Sequence, residues 1–254
     1  MLPLVRASLA ALPELALRDR VVLVTGANGG LGRACALQCS AAGASVVLAG
    51  RKVRALENLY DEIERSGGAR PAIYPIDFEG ASPDDYSGLA EAIRLQCGRL
   101  DAIIHAAVLF DGLRPLDQIK PIDWLKIHQV NLNAPFLLTQ ACLPLLRERE
   151  DSSIVFVLDD PQRVGKAYWG GYGVAKSALA GFAAILHSET DTGPLRIHAV
   201  IPPPMRTALR RMAYFGENTL EHELPDSVAS AIAFLVTADA RELRGMTLDL
   251  RAQS

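Results

Sequence analysis

Tyr172 and Lys176 are the residues of this chain whose types and spacing are best suited to chemistry. The segment Tyr172-Gly-Val-Ala-Lys176 places a phenol and an ammonium group one helical turn apart, because residues four apart share a helix face. A nearby positive charge lowers the pKa of a phenol, which favours proton transfer to or from a reacting oxygen. Asp159, thirteen residues before the tyrosine, adds a carboxylate whose charge would oppose phenolate formation.

A glycine-rich segment upstream predicts a dinucleotide site. Gly26, Gly30 and Gly32 lie in the sequence Thr25-Gly-Ala-Asn-Gly-Gly-Leu-Gly, between a β-branched run and a helical pattern. In this strand–turn–helix context, the glycines allow a tight turn and close approach of a pyrophosphate to the helix N-terminus. Together with Tyr172 and Lys176, the segment indicates proton transfer beside a bound dinucleotide, as in a carbonyl–alcohol oxidoreductase.

The end of the second predicted strand bears on which dinucleotide is bound. A carboxylate there would bind the ribose 2′-hydroxyl of NAD, but this chain has Gly50-Arg51-Lys52. Arg33 directly follows the last glycine of the loop, so several cations could hold a 2′-phosphate. We therefore favour NADP (NADPH) over NAD, although these cations could also be ordinary exposed residues at helix starts. Asp77, after the third strand, could meet the adenine edge or serve as a turn or cap residue.

Composition excludes several other classes of function. The 254 residues carry a net charge of −3 with scattered basic residues, so we expect no nucleic-acid partner and no membrane association. No apolar stretch is long enough to span a bilayer. The four cysteines show no metal-ligand spacing, which predicts no metal site and fits a reducing, cytoplasmic compartment.

Strand-like and helical patterns alternate along the chain from residue 21 onwards, which is typical of βαβ units and a parallel sheet. No linker divides this part, so we expect an N-terminal arm over 1–20 and a single domain over 21–254. One long helix is predicted from about Pro121 to Arg147. The segment 205–224 is irregular, and it could be a substrate lid or a mobile surface excursion.

The pairing of TGxxxGxG with YxxxK some 145 residues later resembles the short-chain dehydrogenases/reductases. The resemblance extends from Leu17 to about Asp249. Within the family, residues 115–146 and the approach Trp169-Gly-Gly-Tyr172 are similar to bacterial YciK-type oxidoreductases. The resemblance to the family implies a fold of the α/β class. This fold is a single-domain Rossmann fold, with a doubly wound parallel sheet of about seven strands flanked by helices.

The resemblance also implies roles for individual residues and for partners. Tyr172 takes the position of the family's acid/base residue. Lys176 takes the position of the lysine that also binds the nicotinamide ribose, and Asn131 takes the position of the asparagine that holds a relay water. Asp159 occupies the fourth catalytic position. A small-molecule carbonyl or alcohol substrate and a homodimer or homotetramer are further implications. The implied cofactor-binding residues are Gly26, Asn28, Gly30, Leu31, Gly32, Arg33, Arg51, Asp77, Ala106, Lys176 and Thr207.

Three positions depart from the family pattern, all at the nicotinamide end. Asp159 stands where a serine is expected, Ala106-Ala-Val108 where Asn-Ala-Gly is usual, and Pro203-Pro204 where Pro-Gly is usual. Loss of a hydrogen-bond donor to the substrate oxygen typically costs about 10²–10³ in rate. An ionised carboxylate about 4 Å from the phenolate would cost roughly 4 kcal/mol at an effective dielectric near 20.

Three hypotheses follow. The first is an NADP-dependent reductase in which Tyr172 protonates the nascent alkoxide and Asp159 donates when protonated or orients the substrate. The second is a catalytically impaired protein of the same fold that binds a dinucleotide, or nothing, and acts as a regulatory or interaction partner. The third is lyase or isomerase chemistry with Tyr172 and Asp159 as an acid/base pair.

Overall fold

The structure of the protein, a computed structural model, describes residues 1–6 and 12–251. One sheet of eight strands runs through it, in the order β1-β8-β7-β6-β5-β2-β3-β4, and every neighbouring pair is parallel. The strands are β1 Leu4–Val5, β2 Val21–Thr25, β3 Ser45–Gly50, β4 Ala72–Pro75, β5 Ala102–His105, β6 Ser152–Val157, β7 Leu195–Ile201 and β8 Thr247–Asp249. The helices are α1 Gly30–Ala41, α2 Val53–Arg65, α3 Pro83–Cys97, α4 Pro121–His128, α5 Ala134–Arg147, α6 Pro161–Val164, α7 Gly170–Thr190, α8 Ala208–Ala213 and α9 Asp226–Leu235.

The additional strand beyond the expected seven comes from the N-terminal segment. Leu4 and Val5 pair with Thr247 and Leu248 of β8, and the Thr247 amide donates to the Pro3 carbonyl at 2.8 Å. Part of the predicted arm therefore belongs to the sheet edge, while residues 7–11 of the arm and 252–254 of the predicted domain lie outside the described residues. A two-residue strand has no periodicity by which sequence patterns could reveal it.

Both faces of the sheet are covered, because its strands consist largely of β-branched and aliphatic residues that are buried on either side. Side chains alternate between faces along each strand. Leu23, Ile103 and Phe156 belong to the core under α3, α5 and α7, whereas the neighbouring Val22 and Ile104 belong to the core under α1, α2 and α9. This doubly wound arrangement confirms the predicted fold class.

The chain order reverses between β2 and β5, which places a crevice at their carboxyl ends. In open α/β sheets, ligands bind at such a switch point. The glycine-rich loop follows β2, and the segment beginning at Ala106 follows β5. Two motifs distant in sequence therefore meet at one edge of the sheet.

The predicted long helix over 121–147 is interrupted. α4 ends at His128, residues Gln129–Asn133 form a π-helical turn, and α5 begins at Ala134. Such turns widen the helix locally and often occur at functional sites. Asn131 lies within this turn.

Candidate active site

The glycine-rich loop has the backbone geometry expected of a phosphate-binding loop. Gly26 adopts a left-handed conformation with φ of +67°, and a Cβ added to Gly32 would lie 2.3 Å from the Gly26 carbonyl oxygen. α1 has no side-chain cap at Gly29 and no acidic residue in its first turn. Its first amides and the positive end of its dipole are therefore available to an anion.

Thr25 connects this loop to the segment that follows β5. Its hydroxyl oxygen accepts hydrogen bonds from the amides of Ala106 and Ala107, each at 3.1 Å. A Cβ on Gly26 would lie 2.7 Å from the Ala107 Cα. Thr25 thus fixes Ala106 beside the glycine loop, a contribution that its position at a strand end did not reveal.

The predicted adenosine end carries cations that also contact carboxylates. Arg51 lies 3.7 Å from both Asp77 and Glu79. The Asp77 carboxylate accepts a hydrogen bond from the Glu79 amide at 3.2 Å, so it has the turn role that was one of its two alternatives. The Arg51 side chain is about half exposed, which leaves it accessible at the carboxyl end of β3.

Arg33 and Asn28 complete this region. The Arg33 guanidinium forms an ion pair with Glu62 of α2 and remains about half exposed. Asn28 packs so closely on β3 that a Cβ at Gly50 would lie 2.3 Å from its side-chain oxygen. The small residue at the end of β3 therefore allows the loop to close over the strand.

The Tyr172 hydroxyl donates a hydrogen bond to Oδ2 of Asp159 at 2.7 Å. Both residues are buried, with Tyr172 2% and Asp159 7% exposed. Burial, followed by the charge of Asp159 and this hydrogen bond, raises the pKa of Tyr172 well above its usual range. The direction is opposite to that expected from Lys176 alone.

Lys176 lies one turn beyond Tyr172 along α7. Its ammonium group donates to the Val157 carbonyl at 2.7 Å and lies 5.8 Å from the centroid of the Tyr172 ring. Burial lowers the pKa of Lys176 to about 8, and the charge of Asp159 partly offsets this effect. The carboxylate therefore helps to keep the lysine protonated.

Asn131 is buried, but its side chain is bound to backbone groups. Its Nδ2 donates to the carbonyls of Leu109 at 2.8 Å and Ile127 at 2.9 Å, and its Oδ1 accepts from the Leu109 amide at 3.2 Å. The residue thereby joins the π-helical turn to the segment after β5. These hydrogen bonds fasten the Asn131 side chain at the interruption between α4 and α5.

One pocket of about 320 Å³ joins the glycine loop to Tyr172 and Lys176. Gly30 and Thr207 face each other across its glycine end, since a Cβ on Gly30 would lie 3.3 Å from Thr207 Cγ2. The pocket also contains the atypical positions Asp159, Val108 and Pro203-Pro204. Further cofactor candidates on its wall are Leu31, Gly32 and Ala106. The three departures from the family pattern therefore converge on one cavity.

Arg163 and several aromatic residues of the pocket were missed from the sequence. The Arg163 guanidinium forms an ion pair with Asp159 and lies 5.6 Å from the centroid of the Trp169 ring. Phe110 packs edge-on against Tyr172, with ring centroids 5.2 Å apart. The spacing of four residues between Asp159 and Arg163 could have indicated this ion pair, because residues four apart meet on a helix. A helical pair was not expected directly after a strand.

The segment 205–224 borders the pocket opening. It contains α8, whose N-cap residue Thr207 accepts through its side-chain hydroxyl a hydrogen bond from the Arg210 amide at 3.2 Å. Arg210 forms two hydrogen bonds with Glu217, at 2.6 and 2.5 Å, and stacks on Tyr214. This segment is therefore folded against itself beside the cavity.

In residues 1–6 and 12–251, no group of three or more His, Cys, Asp or Glu side chains is placed to hold a metal ion. Among the described helices, none combines the length and apolar character needed to cross a membrane.

Comparison with known proteins identifies the family. The sequence pattern of the short chain dehydrogenases matches residues 20–216. The chain is 34% identical over 233 residues to the oxidoreductase YciK of Escherichia coli K12, covering 92% of each protein. A short chain dehydrogenase from Pseudomonas syringae has a similar structure, with a TM-score of 0.91, 37% identity and coverage of 96% of this chain and 99% of that chain.

A second solved structure is that of a short chain dehydrogenase from Escherichia coli CFT073 complexed with NADPH. It is 34% identical, covers 93% of this chain and 99% of its own, and has a TM-score of 0.89. The family match over residues 20–216 includes the glycine loop, Tyr172 and Lys176. The chain belongs to the short chain dehydrogenase family of oxidoreductases.

Proposed function

We propose that this protein is an NADP(H)-dependent oxidoreductase that interconverts a small carbonyl compound and the corresponding alcohol. The observation that carries the proposal is the pocket that joins the glycine loop to Tyr172 and Lys176. A dinucleotide whose phosphates lie at α1 would extend its nicotinamide end towards these two residues. The domain over 21–254 would then act as one catalytic unit, with 205–224 as its lid.

The site fits this cofactor on structural grounds. Gly26 and Gly32 leave no room for side chains where the loop folds back on itself, and the exposed Gly29 and Gly30 leave its backbone accessible to a pyrophosphate. β3 ends in Gly50 without a carboxylate, and Arg33 and Arg51 are accessible for a 2′-phosphate. The structural relative from Escherichia coli CFT073 is complexed with NADPH, which supports NADP(H) rather than NAD.

Bound NADPH would supply the hydride, and the residues of this chain would manage the proton. Tyr172 holds a protonated phenol, because its pKa is raised well above the usual range. In the reductive direction, the phenol would give its proton to the substrate oxygen as that oxygen gains the carbonyl electron pair. Lys176 would bind the nicotinamide ribose and, with its positive charge, stabilise the phenolate that remains.

The pocket walls indicate the class of substrate. The lining is largely apolar and aromatic, and it includes Phe110, Trp169, Tyr214, Leu209 and Met212. Arg210 borders the cavity, but Glu217 already balances its charge. We therefore infer an uncharged, apolar or aromatic aldehyde or ketone as the substrate.

Two assays test the proposal. NADPH binding is measured by fluorescence titration, and NADPH oxidation is then followed with a panel of aromatic and aliphatic aldehydes and ketones. We expect saturable NADPH binding and turnover of at least one aromatic carbonyl compound. Tight NADPH binding without turnover of any compound in the panel would contradict oxidoreductase activity.

The alternative is a dinucleotide-binding protein with impaired catalysis. The observation that favours it is the hydrogen bond from Tyr172 to Asp159, which engages the phenol proton that a substrate oxygen would receive. The ion pair between Asp159 and Arg163 fixes the carboxylate in that position. Such a protein would bind NADPH and serve a regulatory or interaction role.

Assembly and location also belong to the proposal. Phe136 of α5 and the α7 residues Val174 and Ile185 expose large apolar side chains, which supports a homodimer or homotetramer. All four cysteines are free, which supports a reducing, cytoplasmic environment. Light scattering on the purified protein tests the assembly, and a monomer at micromolar concentration would contradict it.

A further inference from the structure

Asp159 accepts hydrogen bonds and has no proton to offer the substrate. Its Oδ2 accepts from the Tyr172 hydroxyl at 2.7 Å, and its Oδ1 accepts from the Asp160 amide at 2.7 Å. Oδ1 also accepts from the Arg163 guanidinium. A carboxylate paired in this way cannot replace the hydroxyl donor of the serine that the family pattern places there.

Arg163 and Tyr172 contact the two oxygens of the same Asp159 carboxylate. Its side chain is 21% exposed and lines the same pocket as Tyr172. Only one guanidinium nitrogen is used by Asp159, and Nε is buried without a hydrogen-bond partner. A guanidinium carries five N–H donors on three nitrogens, so the Nη1 donors of Arg163 remain in addition to the Nη2 used by Asp159 and the buried Nε.

The local structure holds this guanidinium in place. The Asp160 side chain caps α6 by accepting from the Gln162 amide at 2.9 Å. A second anchor is the ion pair of Asp160 with Arg251 at 2.6 Å, which connects the start of α6 to the segment that follows β8. The Trp169 ring then supports the guanidinium from one side. Arg163 is therefore positioned rather than free to extend into solvent.

We propose that Arg163 is a catalytic residue that donates to the substrate oxygen the hydrogen bond which a serine hydroxyl would otherwise supply. This inference rests on the proposed function. Asp159 acts as a positioning residue that orients the guanidinium and holds the Tyr172 hydroxyl until substrate binds. The preferred ligand is thus a compound with a carbonyl oxygen attached to an apolar or aromatic body.

The proton and electron balance is simple, because Arg163 keeps its own protons. As hydride adds to the carbonyl carbon, the π electron pair moves to oxygen, and the Tyr172 proton forms the new O–H bond. The Arg163 N–H stabilises the negative charge that develops on oxygen during this step. Removal of one such donor typically lowers the rate by about 10²–10³.

Benzamide provides a probe that does not depend on turnover, because its carbonyl oxygen accepts a hydrogen bond but the amide is not reduced. Its binding to the NADPH complex is measured by the change in NADPH fluorescence. Arg163→Met should weaken benzamide binding by about tenfold or more, which corresponds to the loss of one hydrogen bond from a charged donor. NADPH affinity should not change, and Arg147→Met at the exposed end of α5 serves as the matched control.

Two double variants separate donation from simple charge neutralisation. Asp159→Ala/Arg163→Met removes both charges and leaves no donor at position 159 or 163, with Tyr172 unchanged, so benzamide binding and turnover should remain low. Asp159→Ser/Arg163→Met differs from that variant by one hydroxyl group, and it should bind benzamide about tenfold more tightly. Both variants avoid leaving Asp159 buried without its partner, which could unfold the single variant.

Three results would overturn the inference. One is wild-type benzamide affinity in Arg163→Met, and another is wild-type affinity in Asp159→Ala/Arg163→Met, which would reduce Arg163 to a counter-charge. The third is no measurable benzamide binding by the wild-type NADPH complex. Failure of the proposed function is distinguishable, because it shows as intact benzamide binding without oxidation of NADPH by any carbonyl compound.

Discussion

Tyr172 and Asp159 form a buried hydrogen bond of 2.7 Å in which the phenol is the donor. The carboxylate raises the pKa of Tyr172 and also supports the positive charge of Lys176. One substitution relative to the family pattern therefore affects both groups that handle the proton. The balance between these effects determines the pH range in which the site can work.

The first prediction concerns the alkaline limb of the pH–rate profile for the reductase reaction. Lys176, with a pKa of about 8, should lose its charge before Tyr172 loses its proton. kcat/KM, which reports the free enzyme, should therefore fall as the pH rises through about 8. Asp159→Asn removes the charge that raises the pKa of Lys176, so the limb should move to lower pH.

Lys176→Arg is the control for that assignment. A guanidinium stays protonated throughout this range, so the variant should be slower but should lack the limb. An unchanged limb in Lys176→Arg would show that another group is responsible. An unmoved limb in Asp159→Asn would show that the carboxylate does not influence the lysine.

The second prediction concerns the glycine loop. Gly32→Ala places a Cβ 2.3 Å from the Gly26 carbonyl oxygen, which the backbone cannot accommodate without moving. NADPH affinity should fall by at least about tenfold, since the amides that face the pyrophosphate are displaced. Gly181→Ala is the control, because a Cβ there meets nothing within 4 Å. Equal NADPH binding by the two variants, measured by titration calorimetry, is incompatible with phosphates at this loop.

The third prediction concerns the choice between NADPH and NADH. Arg51→Gln should weaken NADPH binding by about tenfold and leave NADH binding unchanged, because only NADPH carries the 2′-phosphate. Arg54→Gln changes another exposed arginine on the following helix and is the matched control. If Arg51→Gln weakens both cofactors equally, the guanidinium does not read the 2′-phosphate.

The fourth prediction concerns acid stability. Burial lowers the pKa of both His105 and His198 to about 3, so they remain neutral in the folded protein. The unfolded chain binds these protons below about pH 6.5, and stability is therefore lost as the pH falls from 6.5 towards 3. Each histidine contributes a slope of up to about 1.4 kcal/mol per pH unit. His198→Gln should give a shallower dependence in urea unfolding, and an unchanged slope would contradict the neutral assignment.

The sequence was sufficient to predict the parallel sheet, the glycine loop and the pairing of Tyr172 with Lys176, because these depend on local periodicity and spacing. It could not reveal the two-residue strand Leu4–Val5, whose pairing with β8 is a contact between the two chain ends. It also could not reveal the π-helical turn at Asn131. That turn depends on hydrogen bonds to Leu109, a distant residue.

The electrostatics of the site were harder to predict than the identity of the residues that form it. Asp159 opposes phenolate formation as the sequence predicted, but burial contributes more to the raised pKa of Tyr172, and this contribution was not anticipated. Burial of a side chain depends on all the elements packed around it and is not visible in a motif. Arg163 was missed because its place in the site depends on its ion pair with Asp159, which forms across a turn between a strand and a helix.

The most direct test of oxidoreductase activity is a single-turnover comparison of the wild-type protein with Tyr172→Phe. Phe keeps the packing against Phe110 and Trp169 and removes only the hydroxyl. With an aromatic ketone in excess, the wild-type NADPH complex should consume its bound NADPH and release one alcohol per NADPH. Tyr172→Phe should bind NADPH equally well but react about 10²–10⁴ times more slowly. NADPH consumption at the same rate in both proteins, or in neither, would contradict the role of Tyr172 as the proton donor.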